Sequence, residues 1–511
     1  MKIPYTFTFT TTFGFIFFIL FPILYILCIP LCSAEIKSIF DERHITLAQN
    51  SFLLAIGSTF FCLIIGIPLA FCINGFSKNK ILFLSISVIP LLIPPYIHAI
   101  VWNKFGLFID KYFYTLNIHG LKGSILILTL SYFPLIVLVT FCGINSIDKN
   151  QIEVGLLIYD RRFIIRTIFL PLILPYIFSG AIFVFVFSIV DFGVPDMLRL
   201  NVYPIEIFIQ FSAFYDERSA IILSFPLIII TIFLILYQKF YMRKRRFFQI
   251  NRELSVFYET HYHILQKISA FIFYFIVIFF STILPIIILI LNAGSLSNYI
   301  KVWHTSKNQI YYTLALSFTG STVVLILGFS LAYIVERTKN CILYFFEFVA
   351  VIPLAIPATT IGICLIKIWN RPIIDIVYSN TLIIIFGYLV KFIPFSFLII
   401  SSEMKNLSDH MEETAFLVKE KWIDVIRNIT LPLLKPSLCV SFFIVFIFIF
   451  GELGTTLLLM PPGRETVAIK IYNLMHYGAY ELVYSLCLIQ LIIISSLSGL
   501  FLISYYKFIK Y

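Results

Sequence analysis

Long apolar segments alternate with short polar segments along the whole chain. Twelve are long enough for a membrane-crossing helix, because about 20 apolar residues span a hydrocarbon core of about 30 Å. Their approximate limits are 12–32, 51–73, 81–103, 123–143, 172–192 and 219–240 in the first half, and 268–292, 311–335, 342–366, 381–402, 433–455 and 482–506 in the second. The pattern predicts an all-α polytopic membrane protein with about 12 transmembrane helices.

Short sequence patterns of the first half recur, in the same order, in the second half. Six helices per half is an even number, so both halves enter the membrane in the same direction. We therefore predict two parallel six-helix repeats, at 1–240 and 268–511, related by a pseudo-twofold axis along the membrane normal. The matched pairs are Gly66–Ala70 with Gly328–Ala332, Ile89–Pro94 with Ile352–Pro357, Pro134 with Pro394, Leu170–Leu172 with Leu431–Leu433, and Asp191–Gly193 with Glu452–Gly454.

Paired prolines interrupt the third and ninth apolar segments at corresponding positions: Pro90 and Pro94, and Pro353 and Pro357. A proline inside a helix frees a backbone carbonyl and bends the axis, which neighbouring helices or a cavity can accommodate. The prolines predict broken helices and point to a central transport path between the halves. Lipid-facing kinks without a role are the alternative.

Basic residues favour one orientation of the chain. Cytoplasmic segments of membrane proteins are enriched in Lys and Arg, so both termini are expected in the cytoplasm. The stretch 241–267 is then a cytoplasmic linker, and binding of nucleic acid or anionic lipid is its alternative role. The clearest basic block, directly after the sixth segment, is Lys239, Arg243, Lys244, Arg245 and Arg246.

Composition supports a surface that mostly faces lipid. The 511 residues are 60% hydrophobic and only 12% charged, whereas soluble proteins contain about 25% charged residues. The net charge of +11 does not indicate nucleic-acid binding, because the basic residues lie between membrane-spanning segments. No convincing cleavage site follows the first apolar segment, so we expect a retained helix rather than a signal peptide.

Candidate chemistry is sparse. The nine cysteines form no CxxC pair, so we expect them to pack as small apolar residues and assign no metal site. Among the charged residues in or near apolar segments, Asp191, Glu452 and Lys391 are the candidates for a place on the translocation path. The two acids either steer a cation near an outer gate or bind loop backbone at the interface, and Lys391 is expected to face protein.

Two inner loops, at 144–171 and 403–432, carry a recognisable pattern. The second contains Glu413-Thr414-Ala415, Lys419 and a final Leu431-Pro432; the first contains Glu153, Gly155, Arg161, Arg162 and a final Leu170-Pro171. They resemble the EAA loop of binding-protein-dependent ABC importer permeases, whose pattern is Glu-Ala-Ala, a glycine, and apolar residues ending in Leu-Pro. Thr414 replaces an alanine, and Lys419 and Ile158 stand at the glycine position.

The resemblance covers nearly the whole chain and implies a permease of the fused two-permease type, similar to the ferric-iron and related thiamine importers. Two further stretches are similar to the iron group, Asp191–Pro195 and Leu457–Gly463 with Glu465-Thr466. In such systems each loop docks on one of two cytoplasmic ABC ATPase subunits, and an extracytoplasmic protein delivers the solute. Without partners, the loops would be ordinary amphipathic segments.

The same resemblance implies a bacterial inner-membrane location and a chain without cofactor or enzymatic activity, with ATP and magnesium on the partner subunits. No phosphate-binding Gly-x-x-x-x-Gly-Lys-[Ser/Thr] loop is present in the sequence. Ferric iron leads as solute, ahead of thiamine, polyamines and phosphonates. The competing class is an ion-coupled secondary transporter, in which Asp191, Glu452 or Lys391 would be coupling sites.

Overall fold

A computed structural model describes residues 4–28, 42–76, 79–112, 118–147, 157–243, 264–338, 341–417 and 421–509. In the first half of the sequence its principal helices are α1 (Tyr5–Ile26), α2 (Glu42–Gly75), α3 (Lys80–Leu92), α4 (Pro95–Tyr112), α5 (Leu121–Asn145), α6 (Ile165–Ile189), α7 (Gly193–Met197), α8 (Tyr203–Ser212) and α9 (Glu217–Arg243).

In the second half the principal helices are α10 (Leu265–Ala293), α11 (Leu296–Arg337), α12 (Cys341–Val351), α13 (Ala358–Trp369), α14 (Leu382–Asn406), α15 (Asp409–Leu417), α16 (Trp422–Phe450), α17 (Gly454–Leu459), α18 (Val467–His476) and α19 (Tyr480–Ile509). Within the described residues, ten helices are long and apolar enough to cross a membrane, or up to 12 if each of two bent pairs is one span. The predicted all-α polytopic fold is confirmed.

Both bent pairs lie at the paired prolines. Helices α3 and α4 are bent by 82° after Pro90, and the stretch Phe345–Ala355 is bent by 110° relative to α13 after Pro353. Each turn closes in the same way, since the Ile93 and Ile356 N–H groups donate to the carbonyls of Pro90 and Pro353. The predicted broken helices at corresponding positions are confirmed.

Four wide π-helical turns precede prolines, and they too repeat between the halves. Ile16–Leu20 lies in α1 and Phe279–Ile283 in α10, the first helix of each half. Ile165–Phe169 and Ile426–Thr430 lie at or near the start of α6 and α16. A proline ring clashes with the carbonyl four residues earlier, and widening the turn relieves this clash. Pro171 and Pro432 of the Leu-Pro motifs thus mark wide turns where the loops join α6 and α16.

One compact unit contains Asp41–Ile205 and Pro226–Leu291. Helices α2, α5 and α6 contact one another at its centre, and α10 packs against α2. The buried core is apolar and includes Leu69, Phe133, Ile136, Ile173 and Val277.

The other compact unit contains Met1–Phe40, Glu206–Phe225 and Asn292–Tyr511. Its centre is the equivalent trio α11, α14 and α16, and α1 packs against α11. The first helix of each sequence half therefore belongs to the compact unit that the other half mainly forms. The repeat limits 1–240 and 268–511 remain a prediction, and residues 244–263 of the linker lie outside the described ranges.

Candidate functional site

The second loop folds as helix α15 between α14 and α16, with Lys419 outside the described residues. Its two neighbouring acids face different ways, because successive helix positions are rotated by about 100°. The Glu413 side chain is 55% exposed and lies beside His410. The Glu412 side chain is only 3% exposed. Glu413 is thus accessible to a partner, whereas Glu412 faces the interior.

The Glu412 carboxylate joins three helices. Arg337, the last residue of α11, donates from Nε to Oε2 at 3.1 Å and from Nη2 to Oε1 at 3.2 Å. Thr430 of α16 donates its hydroxyl to Oε1 at 2.9 Å, and Tyr333 of α11 donates to Oε2 at 3.4 Å. A two-pronged guanidinium–carboxylate pair fixes direction as well as distance. Glu412 therefore anchors the loop to the helix bundle.

The outer surface of this loop region is partly apolar. Met411 and Ile423 are exposed large side chains, Pro432 is exposed, and Ala415 is half-buried. An apolar surface flanked by charges is suited to packing into a cleft of a partner protein. The exposed face of α15 and the adjoining start of α16 thus provide a candidate docking surface.

The first loop is described at 144–147 and from 157 onward. Glu153 and Gly155 lie outside the described residues, and Arg161 and Arg162 begin the short helix Arg161–Ile164. Pro171 follows in α6 and is half-buried. Large exposed apolar side chains also occur here, namely Leu157, Ile158, Tyr159 and Phe163.

Glu452 binds a lysine and the start of a short helix. Lys391 Nζ lies 2.6 Å from Glu452 Oε1, and the two side chains are 28% and 2% exposed. The backbone N–H groups of Thr455 and Thr456 donate to the two carboxylate oxygens at 2.9 Å, and the Thr456 hydroxyl donates at 2.7 Å. All four bonds are donated to the carboxylate, which suits its ionised form. The expectation that Lys391 faces protein is confirmed.

Asp191 occupies the equivalent place in the first half. Its Oδ1 accepts a 2.9 Å hydrogen bond from the Val194 N–H at the start of α7, and the Tyr132 hydroxyl lies 3.5 Å from Oδ2. Both acids therefore bind loop backbone, as one of the two sequence alternatives predicts. A place on the solute path remains a prediction for these acids, for Lys391 and for the four prolines.

Within the described ranges, no group of three or more His, Cys, Asp or Glu side chains is arranged to hold a metal ion. Three of the described acids, Glu412, Glu452 and Asp191, instead pair with arginine, lysine and a backbone donor, respectively. This arrangement is typical of structural contacts and gives no support for a resident metal.

A sequence model of the family described as binding-protein-dependent transport system inner membrane component matches residues 62–247 and again residues 324–510. Together the two matches cover more than half of the chain. The chain belongs to this family.

Three relatives show the range of this permease family. The chain is 22% identical to the Fe(3+)-transport system permease protein FbpB 2 of Haemophilus influenzae over 86% of each chain. It is 24% identical to a putative 2-aminoethylphosphonate transport system permease protein, PhnV, of Salmonella typhimurium, over 40% of this chain and 80% of that protein. A probable transport system permease protein, NifC, of Clostridium pasteurianum is 26% identical over 42% of this chain and 82% of the relative.

Sequence reasoning about this permease missed the anchor of the second loop. Glu413 carried the resemblance, while the neighbouring Glu412 and its partners Arg337, Tyr333 and Thr430 received no role. Two adjacent acids at the start of a short helix were an available signal, because a rotation of about 100° between them points their side chains in different directions. The second available signal was Arg337, a basic residue at the end of α11.

Proposed function

We propose that this permease is the membrane subunit of an ATP-driven importer for ferric iron, located in a bacterial inner membrane with both termini in the cytoplasm. Two copies of an ABC ATPase would hold the two loops, and an extracytoplasmic binding protein would deliver the solute. The family assignment favours this class over an ion-coupled secondary transporter. The observation that carries the docking proposal is the second loop, which is anchored through Glu412 and exposes Glu413 on its outer side.

Coupling follows from differential binding. ATP can drive the permease only if the ATP-bound ATPase pair binds one arrangement of the two repeats more tightly than the other. The exposed apolar residues of each loop would fill a cleft of the ATPase, and Glu153, Glu413 and the basic residues at the first loop would set the register. ATP and magnesium would then be bound only on the partner subunits.

Replacing Glu413 by arginine tests the docking role. We expect ATPase copurification and solute uptake to fall roughly tenfold or more, because the reversed charge meets a surface complementary to an acid. The measurements are the ATPase-to-permease ratio after purification and uptake in whole cells. Asp375→Arg is the matched control, since Asp375 is an exposed acid beyond the opposite end of α14. Normal copurification of Glu413→Arg, or an equal loss with Asp375→Arg, would contradict the docking role.

The solute is proposed from similarity to the Haemophilus influenzae permease, whose name includes Fe(3+). Uptake of ferric iron, thiamine and 2-aminoethylphosphonate in cells lacking this chain, with and without the chain restored, tests the assignment. We expect only ferric-iron uptake to depend on the chain. Dependence of either other solute, with unchanged iron uptake, would replace iron as the solute.

A further inference from the structure

The junction between loop and helix bundle is polar in the second repeat, whereas its described part in the first repeat is apolar. In the second repeat it consists of Tyr333, Arg337, Glu412 and Thr430, called here the anchor cluster. The repeat register places Phe71, Gly75, Ile152 and Phe169 at these positions in the first repeat. All four polar members are thus replaced together by residues that cannot form a salt bridge.

The described part of the first junction packs accordingly. The rings of Phe71 and Phe169 lie 5.9 Å apart, where Tyr333 and Thr430 contact Glu412 in the second repeat. Phe169 is buried in an apolar cluster with Ile147, Ile164 and Ile173, and Phe71 packs against that cluster. Ile152 lies outside the described residues. The first junction is therefore based on contact between apolar side chains.

These two kinds of contact constrain movement differently. One Glu412 carboxylate accepts hydrogen bonds from α11 and α16 while belonging to α15, so any displacement of α15 strains directional bonds. Contact between aromatic rings and aliphatic side chains is non-directional and tolerates small sliding. A buried ion pair can often be replaced by apolar residues without loss of stability, so a retained pair suggests a need for defined geometry.

We propose that the anchor cluster fixes α15 to the helix bundle, so that ATPase movement is transmitted chiefly through the directional bonds of Glu412, and less through the apolar contact between Phe71 and Phe169 at the first junction. This inference rests on the proposed docking of ATPases. It assigns Glu412 and Arg337 as positioning residues that act through α15 and need not contact the ATPase. The two halves of the fused chain are then mechanically unequal.

The test uses the full complex of permease, ATPase and binding protein in proteoliposomes, with ferric iron as solute and both ATP hydrolysis and transport measured. For Glu412→Gln we expect normal ATPase copurification, but roughly tenfold less solute transported per ATP hydrolysed. Lys405→Met, which removes a half-exposed lysine paired with Glu336 near the end of α14, is the control and should leave this ratio unchanged. Phe169→Leu in the first junction should change it less than about twofold.

A combined variant separates positioning from stability. Tyr333→Phe, Arg337→Met, Glu412→Leu and Thr430→Val together give the second repeat an apolar junction of similar volume, which we expect to fold and bind the ATPase. If directional bonds are needed, this variant should still transport roughly tenfold less solute per ATP hydrolysed than the unaltered chain. An unchanged ratio of solute transported to ATP hydrolysed in this variant would overturn the inference. An equal fall of this ratio in Phe169→Leu and Glu412→Gln would overturn it as well. Failure of the unaltered chain to bind any ATPase would instead refute the proposed function.

Discussion

Replacing Lys391 by methionine is expected to destabilise the permease by about 3 kcal/mol, because it leaves the Glu452 carboxylate buried without its cation. Glu452 is 2% exposed, so water cannot replace the lost ammonium group. The hydrogen bonds from Thr455 and Thr456 remain, which places the effect at the lower end for a broken buried pair. Thermal unfolding of the detergent-solubilised protein measures the change.

The control for this substitution lies on the same helix. Lys405 of α14 pairs with Glu336 at 3.4 Å and with Glu347 at 3.8 Å, and these side chains are 53%, 13% and 19% exposed. Because water reaches this group more readily than the Lys391–Glu452 pair, Lys405→Met should cost less, about 1 kcal/mol. Adding Glu452→Gln to Lys391→Met should recover part of the loss, since the unpaired charge is then removed. Equal losses of stability in Lys391→Met and Lys405→Met would show that burial of the Lys391–Glu452 pair does not determine the cost of breaking it.

Replacing Gly328 by valine is expected to cost about 3 kcal/mol, because α11 and α14 approach too closely for a side chain there. A Cβ atom at Gly328 would lie 2.4 Å from Ser396 Oγ and 2.7 Å from Ser396 Cβ. Ser396 also accepts a hydrogen bond from Ser441 of α16 at 3.0 Å, so moving it would disturb all three central helices. The temperature of unfolding and the fraction of monodisperse protein after size-exclusion chromatography report the loss.

Gly499→Val is the matched control, because Gly499 is also helical but a Cβ atom added there would meet no atom within 4 Å. We expect it to be neutral. Gly66, the equivalent of Gly328 in the first repeat, should behave like Gly328, since its Cβ would lie 2.7 Å from Ile136 Cβ. If Gly328→Val is as stable as Gly499→Val, then close helix approach does not explain the repeated glycine.

Hydropathy predicted which segments form helices more accurately than it predicted the first and last residue of each helix. The predicted second segment begins at residue 51, but α2 begins at Glu42 and continues through polar residues before the apolar part. The predicted first segment is 12–32, whereas α1 begins at Tyr5. There Thr8 and Thr12 donate hydrogen bonds to carbonyls four residues earlier, at Pro4 and Thr8, and so remain compatible with a helix. Hydropathy reports the apolar length of a segment, and helices extend beyond it.

The broken helices and their repetition followed directly from the prolines, because proline acts on its own backbone. The partners of the buried acids could not be predicted in this way. Arg337 lies 75 residues from Glu412 along the chain, and Lys391 lies 61 residues from Glu452. These pairings depend on how α11, α14 and α16 pack, and a single sequence contains no direct signal of that packing. The sequence therefore indicated charged positions without their contacts.

The first helix of each half packs in the compact unit that the other half mainly forms, and this has a consequence for biosynthesis. Helix α1 is synthesised before its packing partner α11, and the rest of the first half and the linker are made between them. In the same way, α2 can pack against α10 only after α10 has been synthesised. We therefore expect each bundle to remain incomplete in the bilayer until α10 and α11 have been synthesised. Production of the two halves as separate polypeptides would make folding of each depend on meeting the other in the membrane.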